Sequence, residues 1–169
     1  VTVHCASEQM LEQAVQGGMG KTGVLGVTLL TDNDASMVAA AGFKTEYVNR
    51  LESLVRLRAG MAKSAGCAGV VCSGREVAMI KAEMGTDFLA VTPGIRPQWS
   101  LTENDDQKRI TTPGQAVGLG SDYIVIGRPI RDAADPAKAA QMVADEIDQM
   151  LDAPVRNSAK PSLQPGPLG

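Results

Sequence analysis

Val91-Thr92-Pro93-Gly94-Ile95-Arg96-Pro97 and, beyond a long polar loop, Ile124-Val125-Ile126-Gly127-Arg128-Pro129-Ile130 are the stretches on which the fold turns. Each is a short apolar run that stops abruptly at glycine and arginine. Apolar character on successive residues is the mark of strands in a parallel sheet, covered on both faces. The residues just after such runs sit at the C-terminal ends of the strands. Backbone N–H groups and guanidinium groups delivered there together suit a ligand with several anionic oxygens, above all a phosphate.

The same rhythm extends outward in both directions. Val1–His4, Val24–Leu30, Ala68–Cys72, Asp87–Thr92 and Tyr123–Ile126 read as five strands. Between them lie helical patterns. Ser7 is placed to cap a helix running to about Gln16. Thr31-Asp32-Asn33-Asp34 ends the second strand and opens a loop. Thr45 is placed to cap a longer helix whose Tyr47, Leu51, Leu54 and Val55 form an apolar stripe of helical period. Glu76–Met84 is a short helix. Thr112 caps another, with Pro113 at its first position, where the missing proline N–H costs nothing. Asp135 and Pro136 repeat that device for the last helix, with Val143, Ile147, Met150 and Leu151 expected on its buried stripe.

Alternating βα units imply an α/β fold with a parallel sheet. Two architectures fit: an open doubly wound sheet, or part of a (β/α)8 TIM barrel. A whole barrel takes roughly 250 residues, and the 169 residues here supply an incomplete barrel of about five βα units. Residues 1–152 form that partial TIM-barrel domain. Residues 153–169, rich in Pro, Gly and Ser, are expected to be a disordered tail.

Composition narrows the function. Aromatic residues are 3%, so the core must be aliphatic. The net charge of −3 leaves no basic face of the kind that nucleic acid or an anionic membrane surface requires. Cys5, Cys67 and Cys72 are odd in number and lack CxxC spacing, which suits reduced, buried thiols in a cytoplasmic protein. No run is long enough to span a membrane, and none reads as a signal peptide.

Gln16-Gly17-Gly18-Met19-Gly20-Lys21-Thr22 imitates a phosphate-binding P-loop, but Val15 stands where the pattern needs glycine. The context is also reversed, with a helix before it and a strand after. A solvated turn is the better reading. Gly127 and Arg128 are stronger: glycine lets a ligand approach the backbone, and arginine grips two oxygens at once. They follow the last strand, where barrel enzymes place their phosphate site. Arg96 and Gln107 lie on the polar loop after the preceding strand, long enough for a lid, and Trp99 could pack it down. Thr31 and Ser73 end strands, so each hydroxyl could meet a polar ring edge or could equally cap the next turn. His4 also ends a strand, with no metal-ligating cluster near it in sequence, and reads as a hydrogen-bonded histidine at a barrel mouth.

These pieces together resemble the orotidine 5′-phosphate decarboxylase family. The resemblance rests on Val-Thr-Pro-Gly-Ile-Arg-Pro at 91–97, Asp-Gln-Lys-Arg-Ile at 106–110, Thr-Pro at 112–113 and Asp-Tyr-Ile-Val-Ile-Gly-Arg-Pro-Ile at 122–130. Val-Thr-Leu-Leu-Thr at 27–31 and Gly-Val-Val-Cys-Ser at 69–73 extend it. It implies a (β/α)8 barrel, active as a homodimer, that converts orotidine 5′-monophosphate to uridine 5′-monophosphate (UMP) and CO2 with no cofactor and no metal. By the same resemblance Arg128 and the Gly127 amide would hold the 5′-phosphate, with Arg96 and Gln107 closing over it. Ser73 would read the pyrimidine edge, Thr31 would contact substrate, and Pro93 would line the base pocket. Whether Gln98 shares the role of Gln107 stays open.

One departure matters. The family's catalytic Asp-x-Lys-x-x-Asp motif is absent: Lys108 alone has Asp two residues before it, and Thr111 stands where the second Asp belongs. No catalytic residue is therefore assigned in this chain. The Val1–His4 run matches the family's fourth strand, so the chain reads as the C-terminal part of the enzyme, from a longer protein whose preceding segment carries the motif. Five strands alone would expose two edges and an open inner face, and are expected to fold poorly by themselves. The alternative is a non-catalytic nucleotide- or sugar-phosphate-binding barrel protein of the same superfamily.

Overall fold

A computed structural model describes residues 1–101 and 109–152. The five strands are β1 (Thr2–His4), β2 (Leu25–Val27), β3 (Gly69–Val71), β4 (Leu89–Thr92) and β5 (Tyr123–Ile124). The helices are α1 (Glu8–Gly17), α2 (Ala35–Ala40), α3 (Thr45–Asn49), α4 (Leu51–Ser64), α5 (Val77–Met84), α6 (Pro113–Gly118), α7 (Arg128–Arg131) and α8 (Pro136–Asp152). Short 3-10 turns cover Gly74–Glu76 and Gln98–Ser100.

The strands form one parallel sheet in the order β1-β2-β3-β4-β5. Strand order separates the two architectures left open by the sequence. A doubly wound sheet reverses direction at a switch point, whereas a barrel adds each strand beside the last. The sequential order is that of a barrel, and with five strands it is an incomplete one. Register holds across it, with Val27 opposite Val71 and Val71 opposite Val91.

Burial shows which face is covered. Gly26, Val70 and Ala90 pair across β2, β3 and β4 and are buried toward the helices. A Cβ on Gly26 would lie 2.6 Å from Cys5 Sγ and 2.8 Å from Ala62 Cβ, so α4 rests on β2 only because glycine is there. Leu54, Val55, Ala59 and Ala62 of α4 pack with Leu11 of α1 and with Val77 and Ile80 of α5 in the aliphatic core. On the opposite face, Leu25, Val71, Leu89 and Val91 are only half-buried. The expectation of strands covered on both faces fails there, because five strands do not curl far enough to close over their inner side.

The caps largely follow the sequence. Ser7 accepts from the Met10 N–H at 3.2 Å. Thr112 and Gln115 form a reciprocal capping box, and the Lys138 N–H donates to Asp135 Oδ1 at 3.0 Å. Three expectations need correction. Residues 35–40 are a helix rather than loop, capped by Asp34, whose Oδ1 accepts from Met37 N–H at 3.1 Å. Thr45 does not cap the next helix: Lys44 holds the cap position without a side-chain cap bond, and Thr45 is the first helical residue. That helix is also broken at Arg50, whose extended backbone (φ −139°) separates α3 from α4. The apolar stripe runs on across the break.

In α8, Val143 is buried and Ile147 half-buried, but Met150 and Leu151 are 44% and 65% exposed. The main neighbours of α8 are α6 and α7, and Met150, although partly exposed, lies against Gly118 of α6. The tail expectation for 153–169 falls outside the described residues.

A clamp sets β5 beside β4. Lys81 Nζ donates to the Phe88 carbonyl at 2.9 Å and to Asp122 Oδ2 at 2.6 Å, and the same oxygen accepts from the Ala90 N–H at 2.7 Å.

Candidate functional site at the strand ends

β2 stops earlier than its apolar run suggests because its next carbonyls have other donors. Thr28 still bonds to β3, its N–H and Oγ1 both reaching the Val71 carbonyl at 3.1 and 2.9 Å. After that, guanidinium groups take over. Arg58 Nη1, arriving from α4, donates to the Thr28 carbonyl, with its head 5.2 Å from the centre of the Phe43 ring. Arg109 Nη2 donates to the carbonyls of Leu29 at 2.8 Å and Leu30 at 3.0 Å. Three successive backbone acceptors are thus satisfied by two arginines. Thr31, next in line and 6% exposed, receives the Arg109 N–H on its carbonyl at 3.3 Å.

Arg109 is the hub of this end of the sheet. Its Nη1 donates to Glu76 Oε1 at 2.6 Å, an ion pair with both side chains under 10% exposed. Its carbonyl accepts from Ser73 Oγ at 3.1 Å. The Ser73 hydroxyl also accepts from the Arg75 N–H at 3.3 Å, so it caps the Gly74–Glu76 turn. Ser73 is fully buried. Glu76 Oε2, Arg109 Nε and Thr111 Oγ1 gather here too, without hydrogen-bond partners among the described residues. Burial pushes the Glu76 carboxyl above its ordinary value, and the neighbouring Arg109 charge offsets this only in part. Sequence reasoning assigned no role to Arg109 or Glu76. Arg109 stood inside a recognised motif, but a partner 33 residues away leaves no local signal.

The β4 end follows. Pro93 is half-buried, and Ile95 bridges Thr111 in parallel. The Arg96 N–H donates to the Thr111 carbonyl at 3.0 Å, and its Nη1 donates to the Ile95 carbonyl at 3.0 Å. Arg96 is 6% exposed, so its guanidinium is held within the protein. Trp99 is 43% exposed in the following 3-10 turn, beside exposed Gln98. Gln107 lies outside the described residues.

The β5 end is different. Gly127 and Arg128 are exposed, Gly127 standing before the first turn of α7 and Pro129 buried beneath it. An added Cβ at Gly127 would meet no atom within 4 Å, so the space beside this backbone is open.

Thr31, Ser73, Pro93, Arg96, Gly127 and Arg128 therefore all follow the C-terminal ends of neighbouring strands, and Arg109 connects the first two directly. His4, expected to be hydrogen-bonded, is an exposed residue on the edge strand β1. The P-loop look-alike is the turn that ends α1, with Met19 and Gly20 at positive φ and β2 following. Cys5, Cys67 and Cys72 are buried and unbridged. Burial raises the Cys5 thiol to about 11 and the Cys72 thiol to about 12. Among the described residues there is no cluster that could hold a metal ion and no helix long and apolar enough to cross a membrane.

The family model for orotidine 5′-phosphate decarboxylase / HUMPS matches residues 1–143. A protein named orotidine 5′-phosphate decarboxylase from Desulfosudis oleivorans is 49% identical over 151 residues, which are 89% of this chain and 61% of that protein. One of the same name from Rhodospirillum rubrum is 44% identical over 145 residues, 84% of this chain and 55% of the relative. The crystal structure of orotidine 5′-phosphate decarboxylase from Lactobacillus acidophilus superposes with a TM-score of 0.68 at 34% identity, covering 87% of this chain and 62% of that one. The Sulfolobus solfataricus enzyme, at 17% identity and a TM-score of 0.55, shares the fold. This chain spans less than two thirds of the length of these proteins. The motifs after β2, β3, β4 and β5 and the match from residue 1 to 143 agree: the chain belongs to the orotidine 5′-phosphate decarboxylase / HUMPS family.

Proposed function

We propose that this chain is the substrate-gripping part of an orotidine 5′-phosphate decarboxylase, a carbon–carbon lyase that forms UMP and CO2 from orotidine 5′-monophosphate. The observation that carries the reading is the set of polar residues at neighbouring strand ends, in a chain 49% identical to a protein of that name. The exposed Gly127–Arg128 step supports a phosphate site. The backbone at Gly127 faces open space, with no side chain of its own in the way of an outside group. Arg96 would add a second cation, Thr31 and Pro93 would border the ligand, and Ser73 keeps one lone pair that a ring N–H could use.

On this reading the chain's own contribution is binding. Charge-assisted bonds to the phosphate, remote from the reacting carbon, supply energy used at that carbon. The carboxylates and the protonating lysine are not among the 169 residues, since Asp-x-Lys-x-x-Asp does not occur. In the complete enzyme they would come from a preceding segment, and the enzyme would work as a cytoplasmic homodimer. Sequencing the gene upstream of Val1 tests this: the motif is expected there, and a nearby stop codon without it would sink the proposal.

The competing reading is a non-catalytic binder of nucleotide phosphates. Under that reading UMP raises the melting temperature of the purified chain, while orotidine 5′-monophosphate stays intact even when every natural segment is present.

A further inference from the structure

The ends of β2 and β4 are joined by one short segment, residues 109–111, and the Arg109 side chain fastens it. On one side its Nη2 holds the carbonyls of Leu29 and Leu30, and its Nη1 holds Glu76. On the other side, two residues on, the Thr111 carbonyl takes the Arg96 N–H, and Thr111 bridges Ile95. The chain of contacts runs from Arg109 through Thr111 to Arg96. Thr31 is held more directly, through the Arg109 N–H.

We infer that Arg109 is a positioning residue: its side-chain tether to the end of β2 and to Glu76 sets, through residues 109–111, where Arg96 stands, and so sets how well the site discriminates a phosphorylated ligand from its unphosphorylated counterpart. This rests on the phosphate reading of the site given above. The tether needs a planar fork that can serve two carbonyls and one carboxylate together. Lysine offers a single point of charge and cannot span them. The Ser73 and Thr31 bonds go to the Arg109 backbone carbonyl and N–H, so neither is made by the side chain. The loss should therefore fall on phosphate recognition.

The test compares the complete protein, with every natural segment present, with its Arg109→Lys and Glu76→Gln variants. Calorimetric titrations with UMP and with uridine read the affinities. Hydrogen exchange reads the backbone without any ligand. In Arg109→Lys, UMP affinity should fall about tenfold to a hundredfold, a range typical of small misplacements of binding groups. Uridine affinity should change less than about twofold. The Arg96 amide should exchange faster while α4 amides keep their protection. Glu76→Gln retains the bonds to Leu29 and Leu30 and should lose much less selectivity.

Unchanged UMP affinity and unchanged Arg96 exchange in Arg109→Lys would overturn the assignment. So would equal weakening of UMP and uridine together with lost α4 protection, which would mark general damage. If the unaltered complete protein binds no UMP, the phosphate reading fails by itself. Hydrogen exchange then decides the tether alone, with faster exchange confined to the 95–111 contacts supporting it and unchanged exchange refuting it.

Discussion

Arg96 and Arg128 follow neighbouring strands and belong to the same kind of Gly-and-Pro-flanked motif, yet their surroundings differ. Arg96 is enclosed, with its backbone bonded to Thr111 and its guanidinium on the Ile95 carbonyl. Arg128 is exposed, in the first turn of a four-residue helix. Behind Arg96 stands the network of Arg109, Glu76, Ser73 and Thr31. Next to Arg128 in the chain, Pro129 is buried. The contrast teaches that equal sequence motifs can be held to different degrees. The enclosed arm depends on distant partners and should be costly to disturb, whereas the exposed arm can be altered without harm to the fold.

The largest effect should come from breaking the support of the enclosed arm. Glu76→Ala leaves the Arg109 guanidinium buried beside no carboxylate, and should cost about 3–5 kcal/mol in urea denaturation. A cost under about 1 kcal/mol would place the pair with surface ion pairs and end the contrast. Next, Arg96→Ala and Arg128→Ala should separate two quantities. Arg128→Ala should weaken UMP binding in calorimetry by about 1.5–3 kcal/mol, the worth of hydrogen bonds to a charged group. Its stability should stay within about 0.5 kcal/mol of the unaltered chain. Arg96→Ala should lower both. Equal loss of stability from the two substitutions would show that exposure does not distinguish them.

Smaller is the cap of α6. Thr112→Ala removes one half of the capping box and should cost about 1 kcal/mol. UMP affinity should be preserved, and a marked fall would tie α6 to the enclosed arm. The gentlest probe is alkaline pH. The Cys5 and Cys72 thiols titrate higher in the folded chain, about 11 and 12, than the ordinary 9.0. A raised folded value means that their contribution to stability is complete below pH 9 and lost as pH rises toward 11–12. The urea midpoint should therefore fall from pH 8.5 to about 10.5, and a Cys5→Ala, Cys72→Ala chain should show a shallower fall. Identical slopes would remove the thiols as the cause.

Much of the fold was legible because its signals are local. Apolar runs closed by glycine or polar residues marked the strands, and Ser7, Thr112–Pro113 and Asp135–Pro136 marked helix starts. What escaped depends on contacts between distant residues. The order of five strands decides the barrel, and no window of sequence contains it. The break at Arg50 interrupts a stripe whose periodicity continues unchanged. Met150 and Leu151 keep a helical apolar pattern and are still exposed, because pattern says what could be buried and packing says what is. The site divides in the same way. Its placement at strand ends was legible from residue types alone. The burial of Ser73 and Arg96, and the guanidinium bridging Leu29, Leu30 and Glu76, required the assembled sheet.

The sequential strand order has a consequence for how the chain reaches its fold. Each strand pairs with the strand one unit before and one unit after it. Folding can therefore spread along the chain from whichever unit forms first, as in repeat proteins, with every step closing a loop of one βα unit. An architecture of this kind has no privileged starting point. It tolerates relocated termini, since moving the cut between units changes which edge is raw while leaving each remaining pair intact.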